Sequence, residues 1–207
     1  MKIENVLPAD IEKRSFEIIS ENLHGFVFKE EEEPIIKRCI HTSADFDYAK
    51  NMYFSENAVK IMQEALKNGA HIVTDTKMAM AGISKPTLKK FGGEVHCFIS
   101  DEDVAQKAKE RGVTRSFVSM EKAAELKMPL IFAIGNAPTA LLSLYELIKS
   151  GKLNPVGIIA VPVGFVNVVE SKELIRTLDI PIIAAMGRKG GSNIAAAICN
   201  ALMYSAK

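Results

Sequence analysis

PLIFAIGNAPTALLSLYELIKSGKLNPVGIIAVP, residues 129–162, decides the fold. It opens with a continuous apolar run, PLIFAIGN (129–136), and ends in another, VGIIAVP (156–162). Between them APTALLSLYELIKSG repeats its apolar residues at helical spacing. Short apolar runs without polar alternation, bounded by Gly, Pro or Asn, are the pattern of strands covered on both faces. Strand, helix and strand in that order form a βαβ unit, so the two strands run parallel with a right-handed crossover. HIVTD (71–75), VHCFIS (95–100) and PIIAAM (181–186) are runs of the same kind, separated by helical patterns such as DEDVAQKAKERG and ESKELIRTL. The chain is therefore expected to build an α/β fold on a five-stranded, mainly parallel, doubly wound sheet. In such sheets ligands sit beyond the carboxyl ends of the strands, where the strand order reverses.

The first 60 residues read differently. ADIEKRSFEIISENL (9–23) places Ile11, Ile18, Ile19 and Leu23 at helical spacing, with Ser15 between Ile11 and Ile18 on the stripe expected to face inward. EEEPIIKRCIHTSA (31–44) reads as a second helix started by Pro34, apolar at Ile36, Cys39 and Ile40. The final helix, SNIAAAICNALMYSA (192–206), is apolar on nearly every side, which means burial in a core or contact with another subunit. With 207 residues the chain suits a single domain, 1–207, whose helical part (1–60) packs on the α/β core.

Composition excludes several classes. The 26 basic and 25 acidic residues balance to a net charge of +1, so no global field draws the chain to nucleic acid or an anionic membrane. Hydrophobic residues at 48% are enough for an ordinary core. The cysteines, Cys39, Cys97 and Cys199, are odd in number and far apart, which fits apolar fillers in a reducing cytoplasm. The N-terminal MKIENVLPADIEKR lacks the apolar core of a signal peptide, and no run is long enough to span a bilayer.

One constellation stands apart. In RCIHTSADFDYAKNMYFSENAV (38–59), His41, one of only four histidines, follows Arg38 by three residues and precedes Asp45 by four. On a continuous helix Arg38 and His41 share a face at the polar border of the Ile36/Cys39/Ile40 stripe, and Asp45 could hold the imidazole. One reading is an acid/base histidine beside an arginine that grips a carboxylate. The other is a helix-end histidine favoured by the dipole, with a solvated Arg and capping Ser43 and Asp45. His24 precedes Gly25 in a turn, and His71 and His96 fall in strands, where packing or edge exposure accounts for them. No pair of His, Cys or carboxylate residues has metal-ligand spacing along the chain, so no metal site is expected. IGNAPTA (134–140) and GRKGGSN (187–193) each follow a strand and open a helix; their free N–H groups could bind an anion, or their glycines could merely make tight turns. Neither matches a nucleotide-phosphate loop. Met78 and Met80 in DTKMAMAGISKPT (75–87) face either a large flat ligand or the core, and Arg115 in VTRSF is either another clamp or a surface cation.

RCIHTSADFDYA, DTKMAMAGI, VTRSF, IGNAPTAL, VGFVNVVESKELI and GRKGGSNIAAAICNAL, in this order, resemble the precorrin-8X methylmutase family over essentially the whole chain. The resemblance implies a flavodoxin-like three-layer α/β/α domain acting as a homodimer. It implies an isomerase that moves a methyl group from C11 to C12 of precorrin-8X or cobalt-precorrin-8 in cobalamin biosynthesis. By the same resemblance His41 is the catalytic histidine, and Ser15 and Arg38 touch the corrinoid. Thr76, Arg115 and Asn136 are further substrate-binding positions it suggests. An intramolecular shift needs neither a redox cofactor nor a methyl donor, so no cofactor is expected. Two other readings of the same pocket are a carrier that binds a tetrapyrrole without converting it and a flavin or nucleotide protein, the latter resting on fold alone.

Overall fold

A computed structural model describes residues 4–206. The N-terminal part contributes α1 (Ile11–Asn22), α2 (Glu33–Ser43) and the single turn α3 (Tyr48–Asn51). A short strand, β1 (Met52–Phe54), and α4 (Ala58–Lys67) lead into the alternating region. There follow β2 (His71–Thr74), α5 (Lys77–Gly82), α6 (Lys85–Lys90), β3 (Val95–His96), α7 (Glu102–Arg111) and α8 (Arg115–Ala124). The chain closes with β4 (Leu130–Ile134), α9 (Pro138–Lys149), β5 (Gly157–Ala160), α10 (Val168–Arg176), β6 (Ile182–Ala185) and α11 (Ser192–Ser205).

Among the described residues the sheet has six strands in the order β1-β6-β5-β4-β2-β3. The expected count of five is one short. The additional strand, β1, pairs antiparallel with β6, Tyr53 opposite Ala184. Its three half-buried residues are too few to show a period in the sequence. The other five strands are parallel, and β4 is buried along its whole length, as its apolar run requires. The run 95–100 contributes only a two-residue strand, after which the chain turns away. The direction of winding reverses between β2 and β4, and the loops beyond their carboxyl ends flank that point.

Two apolar layers cover the sheet. One, carried by α1, α2, α4, α5 and α11, packs on the face holding Ile72, Ile131, Ile159 and Ile183. The other, carried by α8, α9 and α10, packs on Val73, Phe132, Ile158 and Ile182. The apolar helix α11 owes its composition to burial: Ile194 to Cys199 and Ala201 to Met203 are buried, leaving Asn193 and Tyr204 exposed. The apolar face of α2 also lies as expected, with Ile35, Ile36, Cys39 and Ile40 all buried. In α1 the expectation fails. Ile19 and Leu23 are buried, but Ile11 and Ile18 are 53% and 40% exposed, and Ser15 between them is half-buried rather than inward. All three cysteines are buried and free, and burial pushes the thiols of Cys39 and Cys199 up to about 12. No helix among the described residues is long and apolar enough to cross a membrane.

Candidate active site

α2 runs through His41 and stops at Ser43, so Arg38 and His41 do share a face. Ala44 ends the helix in the left-handed conformation (φ 54°) and returns its N–H to the Ile40 carbonyl at 2.7 Å. The Ser43 hydroxyl donates to the Cys39 carbonyl at 2.7 Å. The helix therefore ends before Asp45, which makes no hydrogen bond to the imidazole and pairs elsewhere. Lys189, in the loop between β6 and α11, lies 2.6 Å from both Asp45 and Asp47. The ammonium lowers the Asp45 pKa, and the two carboxylates raise that of Lys189. Asp45 thus ties the end of α2 to the rim of the sheet instead of holding His41.

His41 stacks on Phe16 of α1, with ring centroids 5.1 Å apart and planes inclined by 8°. Among the described residues its ring nitrogens have no hydrogen-bond partner. Arg38 also lies over Phe16, 4.7 Å from the ring centroid, and faces Tyr204 from 6.0 Å. Its guanidinium donates to Glu12 of α1 at 2.5 Å, and this bond holds the Glu12 carboxyl below its usual pKa. A cavity of about 420 Å³ opens here, between α1, α2, the end of α5 and the exposed edge of α11; Glu12, Arg38, His41, Asn193, Asn200 and Tyr204 contribute its polar wall. Its floor is formed by Gly82, Ala196 and Ala197. A β-carbon on Gly82 would stand 2.8 Å from that of Ala196, so only glycine lets α5 approach α11 this closely.

The switch point adjoins this cavity through α11. Thr76 caps α5 by accepting the Ala79 N–H at 3.1 Å, and its hydroxyl bonds to that of Ser192, next to Asn193, at 2.7 Å. The IGNAPTA turn is not an open anion site. Its Gly135, Asn136 and Ala137 N–H groups all donate to the buried Asp75 carboxylate, at 2.9, 2.9 and 2.7 Å. Burial pushes the Asp75 pKa up while these three donors pull it down. A β-carbon on Gly135 would meet the Ser192 Cα at 2.6 Å, so the turn lies directly on the start of α11. Asn136 keeps an exposed side chain on this rim.

The remaining expected positions are more loosely joined. Ser15 is one turn along α1 from Ile11, to whose carbonyl its hydroxyl donates at 2.9 Å. Arg115 opens α8 and lies exposed beside the α7–α8 groove, away from the walls of the His41 cavity. It is linked to the switch-point rim through Thr114, whose hydroxyl bonds to Thr139 of α9 at 2.7 Å. Met78 stands 70% exposed on α5, and Met80 is half-buried.

Sequence reasoning missed Glu12, Phe16, Asn193 and Tyr204. Glu12 is 26 residues from Arg38, and only the packing of α1 on α2 brings the two charges together.

A family model described as precorrin-8X methylmutase matches residues 10–205. The chain belongs to the precorrin-8X methylmutase family. Cobalt-precorrin-8 methylmutase of Priestia megaterium is 45% identical over 197 residues, covering 95% of this chain and 88% of that protein. The enzyme of the same name from Salmonella typhimurium (strain LT2) is 45% identical over 203 residues, covering 95% of each. The crystal structure of precorrin-8X methylmutase from Thermus thermophilus superposes with a TM-score of 0.87 at 35% identity, covering 95% of this chain and 97% of that one. The methylmutase match spans α1 to α11 and so includes every element that walls the His41 cavity.

Proposed function

We propose that this chain is an isomerase of cobalamin biosynthesis that moves a methyl group from C11 to C12 of precorrin-8X or cobalt-precorrin-8, with His41 as proton donor and acceptor. The observation that carries the reading is an exposed imidazole, without a hydrogen-bond partner among the described residues and steadied on Phe16, at the wall of the cavity beside Arg38. The migrating methyl never departs as a free ion, so the protein's task is electronic and geometric. Protonating the macrocycle makes the conjugated system electron-poor and favours the tautomer from which migration is easy. General acid catalysis supplies about 10²–10⁴-fold. Holding one tautomer in a dry site supplies much of the rest.

Arg38 is assigned to a side-chain carboxylate of the substrate, which replaces Glu12 as its partner. Ser15, Thr76, Arg115 and Asn136 are assigned to the same polyanion around the rim. We also read the chain as a homodimer. Small-molecule pockets span about 300–1,000 Å³. The cavity, at about 420 Å³, is short for a tetrapyrrole and open to solvent. Phe165 and Val166, 83% and 78% exposed beyond β5, offer apolar surface for a second copy to cover. The flavodoxin-like description is supported by the parallel strands, which in chain order run 2-1-3-4-5, with β1 as an added edge. The two apolar layers on one continuous sheet favour a single domain.

Incubation with metal-free and with cobalt-bearing substrate, followed by absorption spectroscopy, tests the activity. A product spectrum distinct from that of the substrate supports the isomerase. A bound but spectrally unchanged macrocycle would make the protein a carrier.

A further inference from the structure

A second cluster of chemically competent side chains lies on the other face of the sheet. The register of β2 and β3 sets Ile72 beside Val95 and Val73 beside His96. The Ile72 N–H donates to the Glu94 carbonyl at 2.9 Å, and the His71 N–H to the Pro129 carbonyl at 2.9 Å. These backbone bonds bring His71, Glu94 and His96 to one side, the side of Val73 rather than Ile72. One ligand atom from each of the three lies within 4.8 Å of the others. His71 Nδ1 and His96 Nε2 are 2.8 Å apart, with ring centroids at 5.1 Å and planes within 11°, so the rings meet edge to edge. Phe98 lies parallel to His96 at 6.1 Å and supplies an apolar wall. Both histidines are half-buried, and Glu94 is exposed. The His41 cavity is lined by none of these residues.

We propose that His71, Glu94 and His96 form a site for one divalent transition-metal ion of the zinc class, clipping the edge strand β3 to β2. Two imidazoles and one carboxylate are a borderline-soft donor set that suits Zn²⁺, Ni²⁺ or Co²⁺ and leaves a position open to water. Metal–ligand bonds of about 2.0–2.2 Å place the donors of a tetrahedral ion roughly 3.3–3.5 Å apart. The two nitrogens must open by about half an ångström from their mutual hydrogen bond, and the Glu94 carboxylate must swing inward. The imidazole that now donates moves its proton to its other nitrogen, so both lone pairs face the ion and no redox step is involved. The gain is local, because β3 has only two residues and two register pairs to hold it.

The test uses tag-free full-length protein treated with chelator, then titrated with ZnCl₂ by calorimetry and with CoCl₂ by visible absorption. The expected result is saturation at one ion per chain, a d–d band of low-coordinate cobalt, and a thermal midpoint raised by about 5 °C at saturating zinc. His96→Gln and His71→Gln should each weaken zinc binding by at least about tenfold, while His41→Ala leaves it unchanged. Glu94→Gln, at an exposed position, gives the same reading should a histidine variant fail to fold. No saturable binding by the parent protein, affinity undiminished in the Glu94 and histidine variants, or loss of binding in His41→Ala would overturn the proposal.

Discussion

At the scale of single residues, the proposed site turns on one guanidinium and its present partner, Glu12. Arg38 donates to Glu12 at 2.5 Å in the free protein, and the Glu12 side chain is 62% exposed. An exposed pair of this kind contributes about 0–1 kcal/mol. If Arg38 takes the role proposed for it, a substrate carboxylate would displace Glu12 at little cost. Glu12→Gln is expected to tighten corrinoid binding by up to about fivefold, measured by fluorescence or absorbance titration. Arg38→Ala is expected to weaken binding and to flatten its salt dependence, because one of the charges that meet the polyanion is gone. An affinity for the corrinoid unchanged by Arg38→Ala would remove the clamp. Arg38 and His41 were legible because a helix fixes their relation within three residues. Glu12 and the turn of Asp45 towards Lys189 were not, since both depend on where distant elements land.

At the scale of elements, Asp75 stitches β2 to the turn after β4. A carboxylate that accepts three buried N–H groups cannot be replaced by an amide, which keeps one acceptor oxygen and sets its own N–H₂ against a donor. Asp75→Asn is expected to cost about 2–4 kcal/mol in urea unfolding, and to slow turnover by loosening the rim that carries Asn136 and Ser192. A variant as stable as the parent would show that the turn holds itself. The strands buried on both faces announced themselves as apolar runs, and so did the helices between them. β1 did not, because three half-buried residues on an antiparallel edge carry no period. The final helix could be read as core or as interface from its composition; only its position across the sheet decides for core. The His71–Glu94–His96 cluster was equally hidden, since ligand spacing along the chain says nothing about neighbours across parallel strands.

At the scale of the whole molecule, a buried lysine couples the fold to pH on the alkaline side. Lys172 on α10 is fully buried, and its ammonium donates at 2.8 Å to the carbonyls of Gly187 and Lys189, in the loop that leads to α11. Burial lowers its pKa to about 8. Between about pH 8 and the unfolded value near 10.5 the unfolded chain holds one more proton than the folded one, so this group makes stability rise with pH across that window. Below pH 8 both states are protonated and its contribution is flat and unfavourable. Lys172→Met should abolish the rise, seen as a stability curve without positive slope from pH 8 to 10 attributable to this residue; an unaltered slope would assign the proton elsewhere. That loop also carries Lys189, which pairs with Asp45 and Asp47 just beyond α2, so α10, the sheet rim and the end of α2 are tied together. The claim on which the account turns is that the His41 imidazole moves the proton. Its most direct test is single-turnover conversion of precorrin-8 or its cobalt form by His41→Ala, followed by absorption, with corrinoid binding measured alongside. Binding within a few-fold of the parent is expected, with conversion slowed by about 10²-fold or more. Conversion at the parental rate would contradict it.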